Sequence, residues 1–456
     1  MIHQIHSLVW GPALLGLLLF AGLFFTVQSK GFQFRGFSLW WRRTVGSLLD
    51  NSQEESSSQS GSISRVQSAC TALAATIGTG NIVGVASALT AGGPGAIFWM
   101  WVSAAVGMMT AYAETSLGII YRSRTGDGRW IGGPMVYLSR GLKKPGISLL
   151  YGGLCLLASL GMGSMVQSNA AAQTLCYLTG MPPILWAAVI TGLVVFVAWG
   201  GTHRVARVSE RLVPVSAGIY ILFSLAVLVR YHSRVLPALE EIFCCALLPE
   251  SVLGGVGGYG IARAFRYGIA RGVFSNEAGL GSLAGLHSAT DHTTPQEQGM
   301  WAMFEVFFDT IVICTMTALV ILCVMGGSRG LTESAGDGAV LTARCFRLAL
   351  GAAGEYLVSG SMVVFAFATM IAWYYLGRQT LEAVLLQLGD MIDVPEYAAG
   401  LIRGGYLVCF GYAVFLGCVS SLRAVWELSD VWNGLMAFPN IAAILLLHKK
   451  ITYPRR

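Results

Sequence analysis

Two stretches of this 456-residue chain put ligand-binding residue types inside runs that otherwise read as apolar helix. The first is ATIGTGNIVGVA, Ala75 to Ala86, with Gly78, Gly80, Gly84 and Asn81 in its middle. The second is ARGVFSNEAGLGS, Ala270 to Ser282, interrupted by Gly272, Asn276, Glu277, Gly279 and Gly281. Glycine is a poor helix former, and a break at membrane depth frees N–H and C=O groups that hydrocarbon does not satisfy. Such a break persists where protein, ion or ligand uses the freed groups. The chemistry on offer is recognition: half-helix amino ends receive a carboxylate, and freed carbonyls hold an ammonium group or a sodium ion. For one small-residue pattern alone, close helix packing is the better reading; the second, matching break turns the balance toward a site.

Other groups at membrane depth are Glu114, Glu277, Glu305, Asp309, Arg263, Arg266 and Arg271. Four acids against three arginines suit internal pairs that pin a bundle, and Glu114, Glu305 and Asp309 are read in that way. Arg271 and Glu277 flank the second break and are candidates for gating. The seven histidines form no metal-like cluster and stand in no nucleophilic constellation with Ser and Asp. The ten cysteines lack ligand spacing, and most lie in apolar runs where a thiol behaves as a small hydrophobe; adjacent Cys244 and Cys245 receive no role. An enzyme is not indicated.

The elements that must position the two breaks follow from composition. With 55% hydrophobic and 11% charged residues, the chain is a polytopic membrane protein. Apolar runs of spanning length, each a helix because the backbone must satisfy itself in lipid, cover 8–27, 67–90, 95–121, 150–178, 184–200, 211–231, 253–286, 299–326, 354–386, 401–421 and 430–448. The first has no Lys or Arg before it and no small-residue cleavage pattern before Lys30, so it is retained as a helix. With the amino terminus outside, the inward loops hold 18 Lys and Arg (5 in Lys30–Arg65, 6 in Arg122–Lys144, then Arg204, Arg207, Arg211 and 4 at the carboxyl end). The outward loops hold 5: Arg234, Arg329, Arg344, Arg347 and Arg423. The excess places the amino terminus outside and the carboxyl terminus in the cytoplasm. The net charge of +6 is thereby a matter of topology and asks for no nucleic acid. The serine-rich NSQEESSSQSGSIS, Asn51 to Ser64, reads as a flexible cytoplasmic linker.

Setting the first helix aside, ten remain, and the interrupted helices are the first of each five. Because five is odd, the second half enters the membrane with opposite polarity: an inverted repeat with matching broken helices, the pattern of a transporter with its site near the midplane. The expected organisation is an accessory helix and linker (1–66), a transport core (67–448, with repeats 67–231 and 253–448) and a basic tail (449–456).

The runs CTALAATIGTGNIVGVASALTAGGPGAIFWMW, GGPMVY, MVQSNA, RLVPV, RYGIARGVFSNEAGLGS, DTIVICTMTALVIL, WYYLG and NGLMAFPN resemble the alanine or glycine:cation symporters, the sodium:alanine symporter family, from about Val9 to Leu447. The resemblance implies an all-α, LeuT-like five-plus-five fold, one extra amino-terminal helix, and uptake of a small neutral amino acid with Na+ across a bacterial inner membrane. It assigns the substrate to Gly78, Thr79, Gly80 and Asn81 of the first break, Gln167 on 150–178, Phe274, Ser275 and Asn276 of the second break, and Trp373 as a closing residue. Asn81 reads alternatively as an interhelical hydrogen bond, Gln167 is evenly balanced, and Trp373 reads equally as part of an interfacial aromatic belt. Sodium ligands are expected at the carbonyls of Ala75 and Gly78 and the hydroxyl of Thr369. Where many members carry Ser-Thr, this chain has Ala368-Thr369, one hydroxyl fewer. Proton coupling through Glu277 is therefore the alternative to sodium, and a channel, which needs a continuous polar lining, is the more distant one. Residue types do not rank alanine, glycine and serine, choose an enantiomer or set an oligomeric state.

Overall fold

The computed structural model describes residues 2–49, 65–125, 128–247, 256–291, 293–328, 331, 338–389 and 395–454. The serine-rich linker and residues 253–255 of the seventh apolar run lie outside them. Among the described residues each of the eleven runs is mostly helical, the first, second and seventh as two helices each. Among the described residues seven helices are long and apolar enough to cross a membrane, and the bent pair over the first break makes an eighth. The other three runs are Pro183–Trp199, which at 17 residues is about 25 Å long, the second broken helix, and Leu422–Leu446, which carries Glu427 and Asp430.

The amino-terminal run is two helices, Ile2–Val9 and Pro12–Gln28, meeting at Gly11, with Pro12 at the first helical position, where its missing N–H is not needed. Leu14, Ala21 and Phe25 are buried, whereas Phe20, Leu23 and Val27 are exposed, the two-faced pattern of a helix between protein and lipid. It packs on Gly95–Tyr121 and on Leu422–Leu446, and the Trp10 indole N–H donates to the Asp430 carbonyl at 2.7 Å.

The broken helices pair antiparallel at the centre. Arg65–Thr76 packs on Ser282–His287, while Val83–Gly92 packs on Val256–Asn276, as an inverted repeat requires. Val256–Asn276 also lies closely along Gly95–Tyr121, where a Cβ on Gly268 would overlap the Ala96 carbonyl; small residues let these backbones approach. Two long helices contain a wider π turn, Gly161–Val166 just before Gln167 and Phe307–Cys314 around Asp309. The segment Gly338–Gly389 breaks at Gly351 (φ 74, ψ −163), so a short arm precedes the spanning helix that carries Thr369 and Trp373.

Several elements lie outside the apolar runs: Phe37–Arg43, His232–Leu247, that arm, and a two-stranded hairpin pairing Ser123–Arg124 with Trp130–Ile131. The hairpin, the start of Gly201–Arg230 and the end of the Trp373 helix line a cleft with Arg129, Trp130, His203, Tyr375, Arg378 and Glu382.

Candidate functional site

Helix Arg65–Thr76 ends because Gly78 leaves helical space (φ −138, ψ −150), and the chain resumes as one 3-10 turn, Thr79–Asn81, then Val83–Gly92, bent by 50° from the first half. The break is held by side chains. Gly78 N–H donates to Asn81 Oδ1 at 2.9 Å, and Thr79 N–H donates to Gln167 Oε1 at 3.1 Å. A Cβ at Gly78 would stand 2.6 Å from Thr369 Oγ1 and 3.0 Å from Gln167 Oε1, so this glycine is required by space. A Cβ at Gly80 would lie 3.1 Å from the Cα of Ser275, which is where the two breaks touch.

In the second break the chain runs non-helically between Asn276 and Ser282, with Glu277, Gly279 and Gly281 at φ 58, 91 and 84. A left-handed conformation costs a side-chain-bearing residue about 1–2 kcal/mol, so the fold holds Glu277 there against its preference. Neighbours satisfy the freed backbone: Asn276 Oδ1 accepts from Ala278 N–H at 3.1 Å, and Tyr151 Oη donates to the Leu280 carbonyl at 2.9 Å. Glu114 Oε2 accepts from Gly281 N–H at 3.1 Å and from Asn440 Nδ2 at 2.8 Å, and Asn440 also donates to the Gly279 carbonyl at 2.8 Å.

Asp309 binds the two breaks together. Its Oδ1 accepts from Asn81 Nδ2 at 2.6 Å, and its Oδ2 accepts from Ser275 Oγ and Thr310 Oγ1, each at 2.8 Å. Thr310 Oγ1 in turn accepts from Asn276 Nδ2 at 3.1 Å. Asn81 is thus an interhelical hydrogen bond and a member of the break cluster at once. Asp309 has a larger part than a simple ion-pair partner; its position as an acid inside an apolar run was the only sequence signal for it.

Thr369 Oγ1 lies 2.8 Å from the Ala74 carbonyl, 3.4 Å from that of Ile77 and 3.0 Å from that of Phe365. The two first-helix carbonyls stand one residue before the expected Ala75 and Gly78. The helix end explains the offset: Ile77 N–H still bonds the Leu73 carbonyl at 2.8 Å, while Gly78 N–H has turned to Asn81, so Ala74 offers the first freed carbonyl. Ala368 is buried and adds no side-chain oxygen.

Trp373 is 0% exposed, which rules out the aromatic belt. It packs on Gly163, where a Cβ would overlap the indole, and its Nε1 donates to Glu277 Oε1 at 2.9 Å. Phe274 stacks on Trp426 with ring centroids 4.7 Å apart, and the Arg271 guanidinium lies 4.6 Å from the Trp426 ring. Arg271 also pairs with Asp430 Oδ2 at 3.0 Å, an oxygen that His6 Nε2 meets at 3.1 Å, so the amino-terminal helix joins that cluster. Glu305 pairs with buried His287 at 3.0 Å. Arg263 and Arg266 lie on the exposed side of Val256–Asn276.

All nine expected substrate residues are buried, and contacts link them into one zone at the crossing of the broken helices, with Trp373 joined through Glu277. Within it, Thr79 Oγ1 is buried without a hydrogen-bond partner, an acceptor and donor left for a ligand. Two antiparallel broken helices with polar groups converging on both breaks define the class: a LeuT-like secondary transporter. A solved Na+-coupled sialic acid symporter in its substrate-bound outward-open state has the same fold, with a TM-score of 0.55 and 15% identity over 97% of this chain and 86% of its own.

The chain belongs to the sodium:alanine symporter family, whose model matches residues 1–454. It is 37% identical to the sodium/alanine symporter AgcS of Methanococcus maripaludis over 454 residues, 98% of this chain and 94% of that protein. It is 34% identical to the amino-acid carrier protein AlsT of Bacillus subtilis over 94% of this chain and 86% of the carrier. The protein is therefore a multi-pass membrane symporter for an amino acid and not an enzyme.

Proposed function

We propose that this symporter imports alanine or glycine together with Na+ by alternating access across the bacterial inner membrane, its amino terminus outside and its carboxyl terminus in the cytoplasm, as an eleven-helix chain with residues 67–448 as transport core. The observation that carries sodium is the oxygen set at the first break. Carbonyls of Ala74 and Ile77, at the carboxyl end of the first half-helix where the backbone dipole favours a cation, lie 2.8 and 3.4 Å from the Thr369 hydroxyl, and the Phe365 carbonyl of that residue's own helix lies 3.0 Å from it. The donors suit a hard monovalent ion, although Ala368 leaves the set one hydroxyl short.

The substrate's carboxylate is assigned to the amino end of the turn Thr79–Asn81, with Gln167 releasing the Thr79 N–H and the Thr79 hydroxyl adding a donor. Gly78 and Gly80 let Thr369, Gln167 and the Ser275 backbone close on the break, and Phe274 with Trp373 are the bulky walls assigned to leave room for a methyl group. Ser275 and Asn276, held by Asp309 and Thr310, bring the second break to the same zone. The test is uptake of labelled alanine into proteoliposomes with and without an inward sodium gradient. Uptake indifferent to sodium and driven by a proton gradient would remove sodium coupling and leave the fold and pocket intact.

A further inference from the structure

Transport of a substrate and an ion gives no part to the chain between the first spanning helix and the serine-rich linker. Gln4–Gln28 is 25 residues, about 38 Å, against ~30 Å of hydrocarbon, so its end stands among lipid headgroups. There Gly31 N–H bonds back to the Thr26 carbonyl at 2.8 Å, and Lys30 and Gly31, at φ 57 and 70, turn the chain out of the helix. Two short helices follow, Phe32–Arg35 and Phe37–Arg43. Their inner side is anchored. Buried Gln33 donates from Nε2 to Thr26 Oγ1 at 2.8 Å, and the Trp40 indole N–H donates to the Gln33 carbonyl at 3.1 Å. Trp40 and Phe37 meet Phe307 with ring centroids 5.7 and 6.4 Å apart.

The outer side carries two chemistries. Phe34, Phe37 and Trp41 are exposed; Phe37 stacks on Trp41 with centroids 5.6 Å apart, and Trp41 stands edge-on to Phe304 at 6.1 Å. Beside them Lys30, Arg35, Arg42 and Arg43 are exposed. From Met1 to Leu49 the sequence holds no Asp or Glu, and among the described residues none of these four cations is paired with an acid. An acidic polypeptide or a nucleic acid would match the charge and leave the rings in water. A phospholipid of negative charge matches both, phosphate to guanidinium and acyl chain to ring. The rings also follow in sequence on the exposed Phe20, Leu23 and Val27 of Pro12–Gln28, the side turned to lipid.

We propose that Lys30–Arg43 is a binding site for an anionic phospholipid, its phosphate drawn by Lys30, Arg35, Arg42 and Arg43 and its acyl chain lying against Phe37 and Trp41. With the amino terminus outside, as proposed above, the lipid belongs to the cytoplasmic leaflet; only the choice of leaflet rests on that orientation. The site reaches the transport core through packing. Trp40 and Phe37 rest on Phe307, the first residue of the turn that carries Asp309, so a lipid seated here braces that end of the turn and stabilises the folded chain.

The experiment uses the full chain in phosphatidylcholine nanodiscs that contain a small, varied fraction of either phosphatidylglycerol or phosphatidylcholine brominated on the acyl chain. Bromine quenches indole fluorescence on contact, and the part of the quenching that disappears in Trp41→Phe belongs to Trp41. Trp41 is expected to be quenched at a lower fraction of the brominated phosphatidylglycerol, by about fivefold for each arginine engaged, which corresponds to about 1 kcal/mol per basic residue at an anionic surface. The triple variant R35Q/R42Q/R43Q should lose that preference, and R35K/R42K/R43K should keep most of it. In detergent, added phosphatidylglycerol should raise the melting temperature of the unaltered protein and leave that of the glutamine variant unmoved. Equal quenching by the two lipids, unchanged in the glutamine variant, would mean an ordinary lipid belt and overturn the site. A preference abolished by inorganic phosphate at constant ionic strength would reveal a site for free phosphate and overturn the lipid reading too. None of these measurements uses alanine or sodium, so the lipid site stands if alanine uptake is never seen, and its failure leaves sodium-driven uptake untouched.

Discussion

At the scale of single residues, function concentrates where one side chain answers several freed backbone groups. Thr369 is the sharpest instance, since its hydroxyl meets two carbonyls of the first broken helix and one of its own. Losing one good oxygen ligand costs on the order of 1–3 kcal/mol, which is about a 5- to 150-fold change in affinity. Thr369→Ala is accordingly expected to raise the sodium concentration for half-maximal uptake within that range, and Ala368→Ser to lower it; sodium titrations of initial uptake rates check both. Asp309 supports a second expectation. Asp309→Ala leaves Asn81 and Ser275 without their shared buried acceptor, so alanine affinity should fall by about tenfold or more while the protein still inserts, as read by binding of labelled alanine to purified protein.

At the scale of elements, the broken helices depend on close approach, and glycine is what permits it. Gly80→Leu drives a branched side chain against the Ser275 backbone, where even a Cβ would be 3.1 Å from Cα, and should abolish uptake with membrane insertion near normal. Normal transport by that variant would refute the unwound-helix reading. Gly268→Leu acts on packing instead. Its side chain meets the Ala96 carbonyl on Gly95–Tyr121, and overpacking of this kind costs about 1–3 kcal/mol, so the melting temperature in detergent should fall. The two π turns make a related point, since one ends just before Gln167 and the other contains Asp309, and such turns recur at functional sites.

For the whole molecule, orientation in the membrane is the property that charge bias predicts and the helix bundle alone leaves undetermined. A cysteine introduced at Ser58, which lies outside the described residues, should resist an impermeant thiol reagent in intact cells when compared with the parent protein and its ten native cysteines. Labelling from outside would overturn the eleven-helix topology.

Local order along the chain was enough to determine a good deal of this protein. Hydropathy marked every spanning candidate, glycine and asparagine marked both breaks, and their positions in two sets of five implied the inverted repeat, because each signal is carried by neighbours in sequence. Hydropathy did not find His232–Leu247 or the arm before Gly351, whose polar faces interrupt any apolar run. It also gave no sign that Arg263 and Arg266 lie on an exposed face of their helix. What only the tertiary structure decided were pairings across great chain separation: Asn81 with Asp309, 228 residues apart, Thr369 with Ala74, 295 apart, and Trp373 with Glu277, 96 apart. The one-residue offset of the carbonyls at Thr369 belongs with these, since it depends on which N–H groups still close the last helical turn. Such partners are selected by which buried polar groups face one another once the helices pack, and satisfying them is a condition on the assembled bundle that no local stretch of sequence records.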